Sequence, residues 1–177
     1  MYNIVGAMFA SEAEAREAMA ALAETPEING TNILQMSLVK RQDGELKLCN
    51  NFTSDKLNSH DAVKGGLVGG LIGLLGGALG LVVGGVAGAL LGKASDADNK
   101  LDSKSLIEQA AQKLEEGDLA LIMMVNETDE GILDHMLVKY NDVVIRYDAD
   151  VIAKEVEAAE KREEELAEMA REDQEKA

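Results

Sequence analysis

Residues 65–92 read GGLVGGLIGLLGGALGLVVGGVAGALLG, 28 residues without a charge, bracketed by Lys64 and Lys93. Of the chain's 17 glycines, 12 fall inside this block. Steps of four run Gly65, Gly69, Gly73, Gly77 and then, displaced by one position, Gly76, Gly80, Gly84, Gly88, Gly92. On a helix those steps make a stripe free of side chains. Small residues at i,i+4 let two helix backbones approach closely, which is how helices associate where the hydrophobic effect does not drive them together. In water the same glycines cost up to ~1 kcal/mol each relative to Ala, so a lone, water-exposed helix is not expected. A flexible linker is disfavoured too, because Leu, Val and Ile fill nearly all the remaining positions where a linker would carry Ser or charge.

The flanks decide how the block is placed. Tyr2 to Phe9 is a short apolar run that stops at Ser11, which with Glu14 makes an S-x-x-E capping box for a helix to about Ala23. Pro26 and Gly30 close that unit. Ile33 to Arg41 alternates in part, and Gln42-Asp43-Gly44-Glu45 is a turn signal before Leu46-Lys47-Leu48-Cys49, predicting a β-hairpin. Asn50 to His60 is read as polar loop. After the block, Ser103 or Ser105 is set to cap a helix that Gly117 ends. Leu119 to Val125 is a continuous apolar run, the pattern of a strand buried on both faces. Thr128 to about Asn141 follows as a helix, and Val143-Val144-Ile145 as the last strand.

Two βαβ units emerge, Tyr2 to Arg41 and Leu119 to Tyr147, and right-handed crossovers favour a helix layer on one face of a sheet. The expected class is α+β: a ferredoxin-like βαβ-type sandwich with an inserted glycine-rich helical hairpin and a C-terminal acidic helix; a looser α/β sheet is the competitor. The divisions are residues 1–64 (first half: strand, helix, hairpin), 65–92 (glycine-zipper hairpin), 93–148 (second half) and 149–177 (acidic tail). A single helix over the block would be ~42 Å long and would strand two incomplete half-sheets on opposite sides of a bilayer. One shared sheet instead requires a return, with a bend near Gly76-Gly77-Ala78 and two arms of ~18 Å, too short for a hydrocarbon core of ~30 Å. A hairpin dipping into one leaflet, or packed against copies of itself, is therefore expected; an internally buried helical hairpin is the plainer alternative.

Charge and composition narrow the partners. With 33 acidic and 17 basic residues the net charge is −16, and with 3% aromatics and no Trp the chain suits neither phosphate backbones nor base stacking, so nucleic acid is excluded. One cysteine rules out an internal disulfide framework, and the N-terminal stretch has no basic region of a secretory signal. The expected setting is the cytoplasm, either free or peripheral or monotopic at the inner face of the cell membrane. From Asp148 onward there are 12 acidic and 5 basic residues, with Ile152, Val156, Ala159, Leu166 and Ala170 at alternating spacings of 4 and 3, interrupted by Glu163. That pattern predicts a solvated acidic helix, or alternatively a weak subunit-contact helix.

Phosphate-binding motifs fail in the glycine block. A Walker loop ending at Gly92-Lys93 would need glycine at Ala87 and a hydroxyl at Ala94, and the dinucleotide fingerprint needs a G-x-G that the block lacks. Asp96, Asp98 and Asp102 do not make a calcium loop, because Leu101 and Ile107 stand where its glycine and bidentate glutamate belong. His60, His135 and Cys49 have no spacing that suggests a nucleophile and its base. Met123-Met124 are expected in the sheet core.

The starting strand with S-E-A-E-A, the D-G hairpin, the glycine block and the closing V-V-I-R-Y-D together resemble the bacterial family catalogued as domain of unknown function 1269, over roughly residues 2 to 148, with the acidic tail outside. That resemblance implies no established activity and no catalytic residues. The expectation is a non-enzymatic, self-associating protein without cofactor or metal. Its partner is itself, with a lipid bilayer as the other candidate, and Gly65, Gly69, Gly73, Gly77, Gly80, Gly84, Gly88 and Gly92 form its packing stripe. The alternative is a small-ligand-binding or regulatory ferredoxin-like module anchored by the hairpin.

Overall fold

A computed structural model gives the protein's structure over residues 1–55, 59–76, 113–140 and 144–175. Along them run β1 (Tyr2–Phe9), α1 (Glu12–Glu24), β2 (Glu27–Ile28), β3 (Thr31–Gln42), β4 (Glu45–Thr53), α2 (Ser59–Gly76), β5 (Leu119–Asn126), α3 (Glu130–Leu137), β6 (Val144–Asp148) and α4 (Ala149–Glu175). The class is α+β: one antiparallel sheet in the order β3-β5-β1-β6, with β4 and the short β2 both pairing the other side of β3.

The two expected βαβ units interleave. β1 and β3 run in the same direction with β5 between them, and β5 and β6 do so with β1 between them. Each unit fills the gap in the other, so neither half is a complete sheet alone. Leu119 to Val125 is buried at every position, as a strand with neighbours on both edges and helices over both faces must be.

Local chemistry sets the element ends. Ser11 caps α1 with extended backbone angles, and its hydroxyl accepts from Glu14 N at 3.3 Å. Asp43 and Gly44 turn the β3–β4 hairpin with φ of 58° and 79°, the doubly positive pair that a two-residue hairpin loop requires. Asn29 and Gly30 do the same between β2 and β3, with φ of 47° and 85°. Asp148 ends β6 and caps α4 directly, its Oδ1 accepting from Asp150 N and Val151 N.

β3 changes face part-way. Ile33 pairs with Val125 and Gln35 with Met124, which leaves Leu34 as the extra residue of a bulge. Before it the odd-numbered Ile33 joins the first core; after it the even-numbered Met36 and Leu38 do. The first core lies under α1 and α3, where Ala15, Ala18, Met19, Leu22, Leu133 and Leu137 meet Val5, Ala7, Leu121, Met123 and Val125. The small alanines bring α1 close to the strands.

The opposite face is covered as well, by α2 and α4. Leu67, Val68, Leu71 and Leu74 of α2 and Ala149, Ile152, Val156 and Ala159 of α4 bury against Ile4, Leu34, Val39, Ala120, Ile122 and Met124. Three expectations are corrected here. The helix layer is not confined to one face. The acidic tail is not a solvated appendage over its first three turns, because its apolar residues at spacings of 4 and 3 close the second core. Asn50 to His60 is not all loop: β4 runs to Thr53 and α2 starts at Ser59. The second arm of the glycine hairpin lies outside the described residues, as does the helix expected from Ser103 or Ser105 up to Lys113, while Gly117, its expected end, has φ of 94°.

Candidate functional site

Helix α2 carries the first arm of the glycine block, and its two sides are unlike. Leu67, Val68, Leu71 and Leu74 point into the second core, where full burial of each is worth roughly 1.5–3 kcal/mol. Gly66, Gly69 and Gly73 lie on the outward side, exposed, and a Cβ built on any of them would meet nothing within 4 Å. Gly70 stands between the two sides, at the contact with α4. A Cβ there would lie 3.0 Å from Val156 Cγ1 and 3.4 Å from Glu160 Oε1.

The expected packing glycines therefore divide. Gly69 and Gly73 are on α2, but they face away from every described element. Gly65 is in α2 as well, while Gly77, Gly80, Gly84, Gly88 and Gly92 lie outside the described residues. Gly70, absent from the expected stripe, is the glycine that lets another helix come close. Its signal was present: Gly66 and Gly70 form a four-residue step of their own inside the paired G-G repeats.

A second constellation lies on the α1/α3 side of the sheet. Glu127, just past β5, has a side chain 1% exposed; its Oε1 accepts from Asn3 Nδ2 at 2.9 Å and from Arg146 Nε at 3.0 Å. Arg146 Nη2 also donates to the Glu130 carbonyl at 3.0 Å and lies 2.7 Å from Asp134 Oδ1. Burial works against the charge on Arg146, but its bonds to Glu127 and Asp134 outweigh that and hold its pKa above the ordinary arginine value. One guanidinium so joins β6, the end of β5 and α3. The partners of Arg146 among the described residues lie on the end of β5 and on α3, so the cluster reads as an internal strut.

Cys49 is half-buried on the edge strand β4, and His135 is exposed on α3. The side chain of His60 and the aspartates Asp96, Asp98 and Asp102 lie outside the described residues. Among the described residues no group of three or more His, Cys, Asp or Glu side chains is placed to hold a metal ion. Met123 and Met124 are fully buried, one in each core, as expected. Among the described residues, no helix is long and apolar enough to cross a membrane.

The model of a family described as protein of unknown function (DUF1269) matches residues 62–169, more than half of the chain. The chain belongs to this family. The DUF1269 match includes α2 from residue 62, β5, α3, β6 and α4 as far as residue 169, and leaves out β1, α1, β2, β3 and β4. The acidic helix is therefore inside the matched region as far as residue 169 rather than beyond it, which corrects the expected extent. Comparison with curated proteins and comparison with solved structures each found no match.

Proposed function

We propose that this is a non-enzymatic, self-associating protein whose glycine-rich hairpin is the contact element, carried on a ferredoxin-like sheet. The strand order β3-β5-β1-β6 with α1 and α3 as crossovers supports the ferredoxin-like reading. The observation that carries the functional one is the outward side of α2. Gly66, Gly69 and Gly73 each lower helix stability by up to ~1 kcal/mol relative to Ala, and nothing inside the described fold needs their missing side chains. A smooth, uncharged face on a chain of net charge −16 suits close approach of another helix. A second copy of the chain presents that same face, and two such faces meet about a two-fold axis without opposing charges.

The test is the size of the purified protein by sedimentation, beside a Gly69→Leu/Gly73→Leu variant. Both positions are open among the described residues, and an unchanged circular dichroism spectrum checks that the variant keeps the fold. A wild-type assembly that falls to smaller species in the variant is the expected result, and equal sizes would overturn the reading. Fractionation of native lysate separates the two modes of contact. A large particle without detergent supports contact between subunits, and pelleting released only by detergent supports a bilayer.

A further inference from the structure

We propose that Asn29 is a site of spontaneous deamidation, at which the Gly30 amide nitrogen closes on the Asn29 side chain and leaves aspartate or isoaspartate in the chain. Asn29-Gly30 is the sequence's one Asn-Gly pair. The fold calls for it: Ile28 pairs with Thr31, and the two residues between them have φ of 47° and 85°, the loop for which Asn-Gly is favoured. The residue pair that suits the turn is also the most labile, because glycine puts no side chain beside the attacking nitrogen. Both residues are exposed. Among the described residues, neither the Asn29 side chain nor the Gly30 N–H has a hydrogen-bond partner.

The β3–β4 turn supplies the contrast. At Asp43-Gly44 the Glu116 carboxylate accepts from both amides, at 2.6 Å from Asp43 N and 3.1 Å from Gly44 N. Those bonds stabilise the N–H that must be lost before attack and hold the loop in one geometry. Among the described residues the β2–β3 turn has no such clamp.

In the reaction the Gly30 nitrogen, giving its proton to water, attacks Asn29 Cγ, and the C–N bond to the side-chain nitrogen breaks with release of ammonia. The succinimide so formed is opened by one water. Cleavage of the Cγ–N bond gives aspartate; cleavage of the bond from the residue 29 main-chain carbonyl to that nitrogen gives isoaspartate. The latter adds a carbon to the main chain of a two-residue loop. That loop positions Thr31, which is 1% exposed, and is lodged against the residue after Glu127, since a Cβ on Gly30 would lie 3.1 Å from Thr128 Oγ1.

Full-length protein is incubated at mildly alkaline pH and followed by peptide mapping with mass spectrometry, beside the same chain in denaturant and an Asn29→Gly variant that keeps the turn and has no side-chain amide. The expected result is replacement of the amide by a carboxyl at Asn29 in the folded chain, faster than at any other asparagine. Both Asp and isoAsp should form, and the melting temperature should fall with time in wild type but not in Asn29→Gly. Persistence of Asn29 in the folded chain while the denatured chain converts would overturn the proposal, as would conversion at Asn29 no faster than at other asparagines.

Discussion

Gly70 of α2 lies so close to Val156 of α4 that a Cβ on the glycine would stand 3.0 Å from Val156 Cγ1. A valine in a helix has essentially one rotamer and does not swing aside. An alanine at 70 therefore loses in overpacking what it gains in helix propensity. At Gly69 and Gly73 no atom of the described residues stands in the way, and Ala should stabilise by up to ~1 kcal/mol each. Urea denaturation should rank Gly70→Ala below both, and Gly70→Leu should cost about 1–3 kcal/mol. Equal effects at the three positions would show that α2 and α4 do not meet at Gly70.

The Arg146–Glu127 pair invites a double-mutant cycle. With its side chain 1% exposed, Glu127 cannot recover solvation if Arg146 is removed, and breaking such a pair from one side costs about 3–5 kcal/mol. Arg146→Met and Glu127→Leu should each be strongly destabilising. The double variant should sit closer to wild type than either single, since no charge is then left buried alone. Strict additivity of the two losses would contradict the strut.

How far these features could be read from the residues depends on what each pattern competed with. The buried run Leu119 to Val125, the Ser11–Glu14 cap and the Asp43-Gly44 turn are local signals, and all three appear where expected. Val143-Val144-Ile145 carries the β-branched signal of the last strand, but β6 runs on to Asp148, and no local pattern encodes the bond from Arg146 to Glu127, 19 residues away in sequence. Leu34 hides its bulge, because one extra residue turns a clean alternation into the partial one noted from Ile33 to Arg41. The burial of the tail is hidden for a different reason. Ile152, Val156 and Ala159 sit among lysines and glutamates as they would on a solvated helix, and only the uncovered second face of the sheet decides that they are buried. Gly70 lies off the longest regular row of glycines, whereas the glycine that packs is set by where α4 crosses.

Tyr147 supplies a pH dependence. Its phenol is partly buried, and burial first, then the negative charge of Glu155, raise its pKa above the ordinary tyrosine value near 10. Above that value the unfolded chain gives up the proton before the folded one does. The folded state then binds more protons, and stability falls as pH rises. The contribution is intact below the unfolded pKa and lost as pH climbs through the folded one. Tyr147→Phe should therefore lose less stability than wild type on the alkaline side of pH ~10, with the two curves parallel below it. Parallel curves throughout would remove Tyr147 as the cause.

The acidic helix offers the last test, because its two ends should behave oppositely. Ile152 is 1% exposed and closes the second core between α2 and β6. Truncating it to alanine should cost about 2–5 kcal/mol, the range for a large aliphatic side chain removed from a packed core. Beyond Ala159 the described side chains, among them Glu160, Lys161, Glu164, Glu165, Glu168, Met169 and Arg171, are all exposed. A chain ending after Lys161 should accordingly keep its urea midpoint within the shift expected from exposed substitutions, about 0.5 kcal/mol. If the tail were a solvated appendage, Ile152→Ala would be as silent as the truncation. A large loss from the truncation would instead place part of the fold's stability in the distal half of α4.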